Sequence, residues 1–445
     1  MSFENTSAKP ILSNVCTDIS YGYTASAENE PIGPKFLRIT DIQGGIVSWS
    51  TVPHCQIEQS QISKYLLHEG DIVVARTGNS TGENFIFTGN EIAVFASYLI
   101  RLRVDHRIAN PYFIWYQMRS PFWWKFINSS KTGSAQAGAN AKVIASFEIS
   151  LPSLIIQQNV VSVLRAIDDR IALLRETNAT LEAIAQALFK SWFVDFDPVH
   201  AKQEGREPEG MNADTAALFP DSFEESELGL IPKGWTVKCL RDITNRITKG
   251  TTPTTLKRPF VASGINFIKV ESLTEDGEFI PGKFAYIDNE THELLKRSQL
   301  QVDDVLITIA GTIGRIAVMT EDFLPANTNQ AVALIRPDPN RFPGGLIKHF
   351  LQRDDSRQNM VERVVQAVQA NLSLGSISDL KVVVPPSEVV KQLYDAGISQ
   401  IDACKNRNQK HIRTLTNIRD ALLPRLISGR LRLPEAETQL EEVGS

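Results

Sequence analysis

The sequence predicts an α+β chain: two globular domains separated by two long helices that pack as an antiparallel coiled coil, with an internal two-fold pseudo-repeat. Three observations carry this expectation. The chain matches itself at about half its length, each copy ends in a heptad stripe, and a polar, acidic stretch divides the copies. At 445 residues the chain exceeds one ordinary domain, and 42% hydrophobic content suffices for sizeable cores.

The match is densest toward the end of each copy. LPSLIIQQ at 151–158 aligns with PPSEVVKQ at 385–392, and the same offset of 234 places Ile167-Asp168 on Ile401-Asp402, Leu181 on Leu415, Ala187-Leu188 on Ala421-Leu422 and Trp192 on Leu426. No gap is needed. Upstream, Phe36-Leu37-Arg38-Ile39 corresponds to Phe267-Ile268-Lys269-Val270, Asp71-Ile72-Val73-Val74 to Asp304-Val305-Leu306-Ile307, and Ala139-Asn140 to Ala370-Asn371. The drift of offset to 231–233 marks the globular part as the more variable.

The repeated tails read as helices. Val160 begins a seam through Leu164, Ile167, Ile171, Leu174, Leu181, Leu188 and Trp192, with Asn178 and Ala185 on the same line. Steps of three, four or seven put these side chains on one helical face. The partner seam runs through Ile398, Ile401, Ile412, Leu415, Leu422 and Leu426, interrupted by Lys405, Asn408 and Arg419. Without proline before Pro424, each helix is expected to run ~35 residues, or ~50 Å at 1.5 Å per residue. One such stripe could lie on its own domain; two, each directly after a globular segment, favour mutual packing. The expected division is therefore globular domains at 1–151 and 231–385, helices at 152–194 and 386–429, an exposed acidic linker at 195–230 and a tail at 430–445. Within the domains, short β-branched runs such as 93–95 and 381–384 read as strands, and 111–118 and 346–352 as helices.

The net charge is −5, but it is unevenly placed. Residues 195–230 hold ten Asp and Glu against two Lys and Arg, and 434–445 hold four Glu and no base, so the remainder carries +7. A phosphate-binding face is compatible with that distribution. Cys16, Cys55, Cys239 and Cys404 are scattered without a CxxC, and no HxxxH pair occurs, so neither a disulfide framework nor a zinc site is expected. No stretch approaches the ~20 apolar residues of a membrane span, and MSFENTSAKP lacks a signal-peptide pattern. A cytoplasmic protein is the expectation.

Three segments carry a family resemblance. ALFKSWFVDFDP at 187–198, IPKGW at 231–235 and LLPRLISGR at 422–430, together with the half-length repeat, resemble the signature segments of type I restriction-modification specificity subunits over the whole chain. The resemblance implies two target-recognition domains, each reading one half of a split, asymmetric double-stranded DNA site. It also implies that the paired helices bind two modification subunits and, through them, the restriction subunits. Methyl transfer and cleavage would belong to those partners. The first domain departs from the pattern: it opens at Ile11-Leu12-Ser13-Asn14-Val15 without the Pro-x-Gly-Trp of the second.

The residues themselves agree with a chain that needs no cofactor. There is no GxxxxGK[ST] loop, no FxGxG loop and no PD...(D/E)xK set. Asn110-Pro111-Tyr112-Phe113 is similar to the NPP(Y/F) of adenine methyltransferases but lacks the second proline, and it reads equally as a capped helix start. The aromatic run at 121–126 reads as a core helix face, although its rings could stack on an unpaired base.

DNA reading needs bidentate side chains for base edges and cations or amides for phosphates. In the first domain the candidates are Arg76, Thr77, Asn79 and Ser80, then Lys131, Thr132, Ser134, Gln136, Asn140 and Lys142. In the second they are Lys249, Thr251, Thr252, Thr308, Thr312, Arg315, Asn329 and Gln330, then Gln366, Gln369 and Asn371. Gly78, Gly82, Gly311 and Gly314 follow matching strands and read as turn glycines or close-approach points for phosphate. Two other classes remain open on the residues alone: a divergent DNA methyltransferase or nuclease with its own active site, and a coiled-coil scaffold that does not touch DNA.

Overall fold

Apolar runs rich in β-branched residues make the strands of both copies, and the order of elements repeats with them. The computed structural model describes residues 9–45, 47–131, 139–365 and 371–431. The first copy runs β1 (Cys16–Tyr21), β2 (Lys35–Leu37), α1 (Gln59–Tyr65), β3 (Ile72–Ala75), β4 (Asn84–Ile86), β5 (Ala93–Phe95), β6 (Leu99–Val104), α2 (Pro111–Gln117), α3 (Pro121–Lys131), α4 (Ala141–Ala145) and α5 (Leu154–Phe193). A connecting stretch holds α6 (Asp197–Gln203), α7 (Ala213–Ala217), β7 (Phe223–Ser226), β8 (Gly229–Pro232) and β9 (Thr236–Cys239). The second copy follows with β10 (Thr244–Lys249), β11 (Ile265–Ile268), β12 (Ala285–Ile287), α8 (Asn289–Leu294), β13 (Val305–Thr308), β14 (Ile316–Val318), β15 (Ala326–Thr328), β16 (Val332–Pro337), α9 (Gly344–Gln352), α10 (Asp354–Val365), α11 (Leu374–Ser378), β17 (Lys381–Val384), α12 (Ser387–Ala396) and α13 (Ile398–Ile427).

The two main sheets have one topology. Strand order β1-β6-β3-β4 in the first matches β10-β16-β13-β14 in the second, and both carry a bulge near the start of the first strand. Register is shared as well: Ile72 faces Leu102 as Val305 faces Ile335, and Ala75 faces Leu99 as Thr308 faces Val332. A parallel pair, β2 with β5 and β11 with β15, lies beside each sheet. These elements belong to two compact units, one drawn from residues up to 174 and beyond 409, the other from 175–409. Helix α5 contributes to both.

Each sheet is pinned by the same buried ion pair. Arg103 Nε and Nη2 donate to Asp71 at 2.8 and 2.7 Å, and Arg336 donates to Asp304 at the same two distances. The spare donor of each arginine reaches a backbone carbonyl, Leu66 at 3.4 Å or Gln299 at 2.9 Å. Each aspartate also accepts a backbone N–H, from His68 or Gln301. A carboxylate this deep is tolerated because both of its oxygens accept hydrogen bonds, three in all.

The long helices depart from the sequence expectation in length and continuity. Helix α5 runs 40 residues, whereas the second tail breaks at Gly397 into α12 and the 30-residue α13. A Cβ at Gly397 would stand 3.3 Å from the Trp192 ring, which would have to give by a few tenths of an ångström to admit one. Pro424 lies inside α13 rather than ending it.

In the first unit Leu164, Ile167, Ile171 and Leu174 share a core with Ile412, Leu422, Leu423, Leu426 and Ile427 and with Phe113 and Tyr116 of the globular part. In the second, Ala185, Phe189, Trp192 and Phe193 share one with Ile398 and Leu393, while Leu181, Leu188 and Ile401 are only half-buried, as is Leu415 in the first. A straight helix drifts ~20° per heptad from a strict 3.5 repeat, which carries burial from Leu181 and Leu188 onto Phe189 and Phe193.

Polar side chains complete the seam. Asn408 Nδ2 donates to Asn178 Oδ1 at 2.9 Å, and Asn178 Nδ2 to the Lys405 carbonyl at 3.3 Å. Glu182 contacts the Lys405 ammonium. Moving four residues up α5 moves three down α13, so the paired segments run antiparallel in this unit.

Residues 195–230 are not the exposed linker that their charge suggests. Phe196, Val199 and Phe219 are buried in the second unit's core, Lys202 Nζ donates to the Ala216 carbonyl at 3.2 Å, and β7 and β8 form a hairpin. Apolar residues spaced through the acidic stretch fold it onto the core, and the carboxylates remain outside.

Two outcomes follow. Asp304→Ala should cost about 3–5 kcal/mol in urea unfolding, because it strands a guanidinium only 17% exposed, whereas Asp71→Ala should cost less because Arg103, 31% exposed, can rehydrate. The second concerns pH. Burial presses the Lys405 ammonium from 10.5 down to about 8, so between those values the unfolded chain holds a proton that the folded one has released. Stability should therefore rise with pH across that window, and Lys405→Met should flatten the rise in urea midpoints measured from about pH 8 to 10.5.

Candidate nucleic-acid interface

Loops at one edge of each main sheet gather most of the exposed polar candidates, and the backbone there is held identically in both copies. The Arg76 N–H donates to the Tyr98 carbonyl at 3.2 Å, and its carbonyl accepts from Ala139 N–H at 3.0 Å. In the second copy Ile309 makes both bonds, to Ala331 at 2.8 Å and from Leu372 at 3.0 Å. At the end of the first strand Gly22 and Gly250 occupy one place. A Cβ on either would fall within about 2 Å of a carbonyl oxygen, of Phe95 or Thr328, so both positions need glycine. These contacts set Tyr21 beside Lys249, Ser97 beside Gln330, and Asn140 beside Ser373 as equivalent residues. Asn140 and Ser373 confirm it by capping α4 and α11 through the same i+3 N–H. The alignment of Asn140 with Asn371 is thereby corrected by two residues.

In the first unit, Thr77 and Asn79 are exposed on the β3–β4 loop, Ser80 accepts from Gln43 Nε2 at 3.4 Å, and Lys142 is exposed on α4. The half-exposed Arg76 donates from Nε to the Ser97 carbonyl at 3.1 Å and lies 5.0 Å over the Tyr21 ring. Asn140 is exposed, although its Oδ1 is occupied by the Val143 N–H. Lys131 ends α3; its side chain and Thr132, Ser134 and Gln136 lie outside the described residues.

The second unit sorts its candidates more sharply. Lys249, Thr312, Gln330 and Asn371 are exposed, Thr251 is half-exposed, and Thr252 donates its hydroxyl to Gln330. Asn329 Oδ1 accepts from Ala331 N–H at 3.1 Å and so serves its own turn. Thr308 is fully buried, at the register position of Ala75, and its hydroxyl accepts from Arg315 N–H. It cannot reach a duplex. Arg315 is likewise committed: Nη1 donates to the Leu273 and Val270 carbonyls at 2.7 and 3.3 Å. Gln366 and Gln369 lie outside the described residues.

Tyr21, Tyr98 and Arg297 stand exposed at these edges without having been singled out by sequence. Aligning the copies on Tyr21-Gly22 and Lys249-Gly250 would have found the first. That offset of 228 is hidden by the drift between the copies.

The enzyme-like strings resolve as structure. Asn110 Oδ1 caps α2 through Tyr112 and Phe113 N–H, Trp123 is buried with Nε1 on the Gly82 carbonyl at 2.8 Å, and of the aromatic side chains in the 121–126 run Phe122 alone is exposed. Gly78, Gly82, Gly311 and Gly314 all have positive φ, as turns require. Among the described residues no cluster of His, Cys, Asp or Glu could hold a metal ion, and no helix is long and apolar enough to cross a membrane.

Each globular part is fastened to a long helix through a carboxylate at equivalent positions. Asp168 of α5 accepts from Tyr116 Oη and Arg419 Nη1, both at 2.7 Å. Asp402 of α13 accepts from Tyr394 Oη at 3.2 Å and lies 3.4 Å from His349 Nε2. Burial opposes its charge, yet His349, Lys348 and Tyr394 hold its carboxyl below the ordinary range. Lys348 bridges on to Glu182 of α5 at 2.8 Å.

The sorting of arginines is testable. Arg315→Leu should lower stability by about 1–3 kcal/mol, having left two loop carbonyls unpaired, and should leave base preference in binding-site selection unaltered. A shifted preference with unchanged stability would contradict it.

Comparison with known proteins agrees with the geometry. The family model described as the type I restriction modification DNA specificity domain matches residues 25–183 and again 232–417, one match on each copy. The chain is 24% identical over 425 residues to the HindI specificity subunit of Haemophilus influenzae, covering 85% of this chain and 91% of that protein. It is 25% identical over 338 residues to the MjaIX specificity subunit of Methanocaldococcus jannaschii, with 73% and 69% covered. Among solved structures, the S subunit of a type I restriction-modification system from M. genitalium shares the fold with a TM-score of 0.50 at 16% identity, over 96% of this chain and 98% of that one. With two matched domains, a repeated α+β framework and differing exposed edges, the chain belongs to the specificity subunits of type I restriction-modification systems.

Proposed function

We propose that this subunit reads a bipartite, asymmetric site on double-stranded DNA, one half with each globular unit, and carries no methyl-transfer or cleavage centre of its own. The observation that carries the reading is the constancy of the framework against the difference of its edge. Strand order, bulge, ion pair and backbone bonds repeat, while Tyr21, Arg76 and Tyr98 in one copy stand where Lys249, Ile309 and Ala331 stand in the other. Two heads with unlike edges are suited to unlike half-sites.

The chemistry then belongs to partners: two modification subunits held along the paired helices, and restriction subunits through them. The names of the relatives support this assignment, and so does the lack of cofactor loops in the sequence. Action in the cytoplasm, and no cofactor of its own, are part of the same reading.

The test is reconstitution. The chain alone should transfer no methyl group to a randomised duplex library; with modification subunits added it should methylate a two-block motif. Exchanging residues 1–150 for those of a relative should then change one block and keep the other. Methyl transfer by the isolated chain, or both blocks changing together, would contradict the proposal.

A further inference from the structure

At the edge of the first unit one side chain is fixed by its neighbours while its terminal donors stay unspent. Arg76 leaves the end of β3 with its backbone fixed on both sides, by the Tyr98 carbonyl and the Ala139 N–H. Its Nε is spent on the Ser97 carbonyl, and its guanidinium carbon lies 5.0 Å over the Tyr21 ring centroid. Tyr21 is itself tethered, its hydroxyl accepting the Ala141 N–H at 3.1 Å. Among the described residues the Nη1 and Nη2 groups have no hydrogen-bond partner, and the Tyr21 residue beneath them is 43% exposed.

A guanidinium fixed through Nε presents its two terminal nitrogens end-on, side by side. That is the donor pair which matches the O6 and N7 acceptors of guanine in the major groove; adenine offers a donor at one of those places. Orientation is supplied beforehand by the ring and the carbonyl, so little rotamer entropy is lost on contact. In the second unit the corresponding residue is Ile309, buried in the core, with Lys249 in the place of Tyr21. Among the described residues that edge has no arginine in the equivalent place.

We infer that Arg76 is a specificity-determining residue of the first unit and reads a guanine in its half-site, with Tyr21 as the residue that positions it. The inference rests on the assignment of these edges to DNA.

The experiment is binding-site selection from a randomised duplex library, using the full chain assembled with its modification subunits. The native assembly should specify a G·C pair in the half-site that depends on residues 1–150. Arg76→Lys keeps the charge but loses the paired donors, so discrimination at that one pair should fall by about 5- to 150-fold while the other half-site is unchanged. Tyr21→Leu should loosen the same position and no other, which keeps the question open to test should the lysine variant fold poorly. An unchanged motif with Arg76→Lys would show a phosphate contact and overturn the inference alone. A native assembly that selects no sequence at all would overturn the DNA assignment and this inference with it.

Discussion

A carboxylate set at the same point of each repeat joins reading domain to helix, and the rest of the architecture depends on it. Asp168 takes hydrogen bonds from Tyr116 of the domain and Arg419 of the opposite helix; Asp402 faces His349 and Lys348 of its domain in the same way. An apolar interface alone would tolerate sliding by a turn, because one leucine packs much like another. A buried carboxylate left without its donors would be costly, so the charge fixes where along the helix each domain sits. Asn178 with Asn408, and Glu182 with Lys405, do the same for the seam between the helices.

With the domain fixed, variation is confined to where it costs little. The Asp71–Arg103 and Asp304–Arg336 pairs, the bulge on the first strand and the glycine that meets a strand carbonyl are common to both copies. They hold backbone. The side chains that project from that backbone at the edge are free to differ, and they do: an arginine over a tyrosine ring in one copy, a lysine and an amide–hydroxyl pair in the other. A scaffold of this kind lets recognition change without refolding, since an exposed substitution rarely costs more than ~0.5 kcal/mol.

The acidic stretch shows how composition can mislead. Ten carboxylates in 36 residues read as solvated chain, yet Phe196, Val199 and Phe219 are buried and the segment folds into helices and a hairpin. A few large apolar anchors outweigh a polar average when a neighbouring core accepts them, at ~1.5–3 kcal/mol for each fully buried side chain.

Much of the fold was legible in one dimension. The gapless offset of 234, the seam from Leu164 to Leu174 and the Asn110 helix cap are local or periodic signals, and periodicity survives without coordinates because a helix face is defined by spacing alone. The family signature was legible for the same reason, as contiguous segments. What spacing could not decide was which polar residue is spent and which is free. Thr308 and Arg315 look like contacts in sequence and are consumed inside the domain, while Tyr21 and Tyr98, silent in sequence, stand at the edge. The break at Gly397 and the drift of burial to Phe189 likewise depend on a ring and a core supplied from elsewhere in the chain. A polar side chain's availability is the balance of all its partners, and those partners, such as Leu273 for Arg315 forty-two residues away, are brought together only by the tertiary fold.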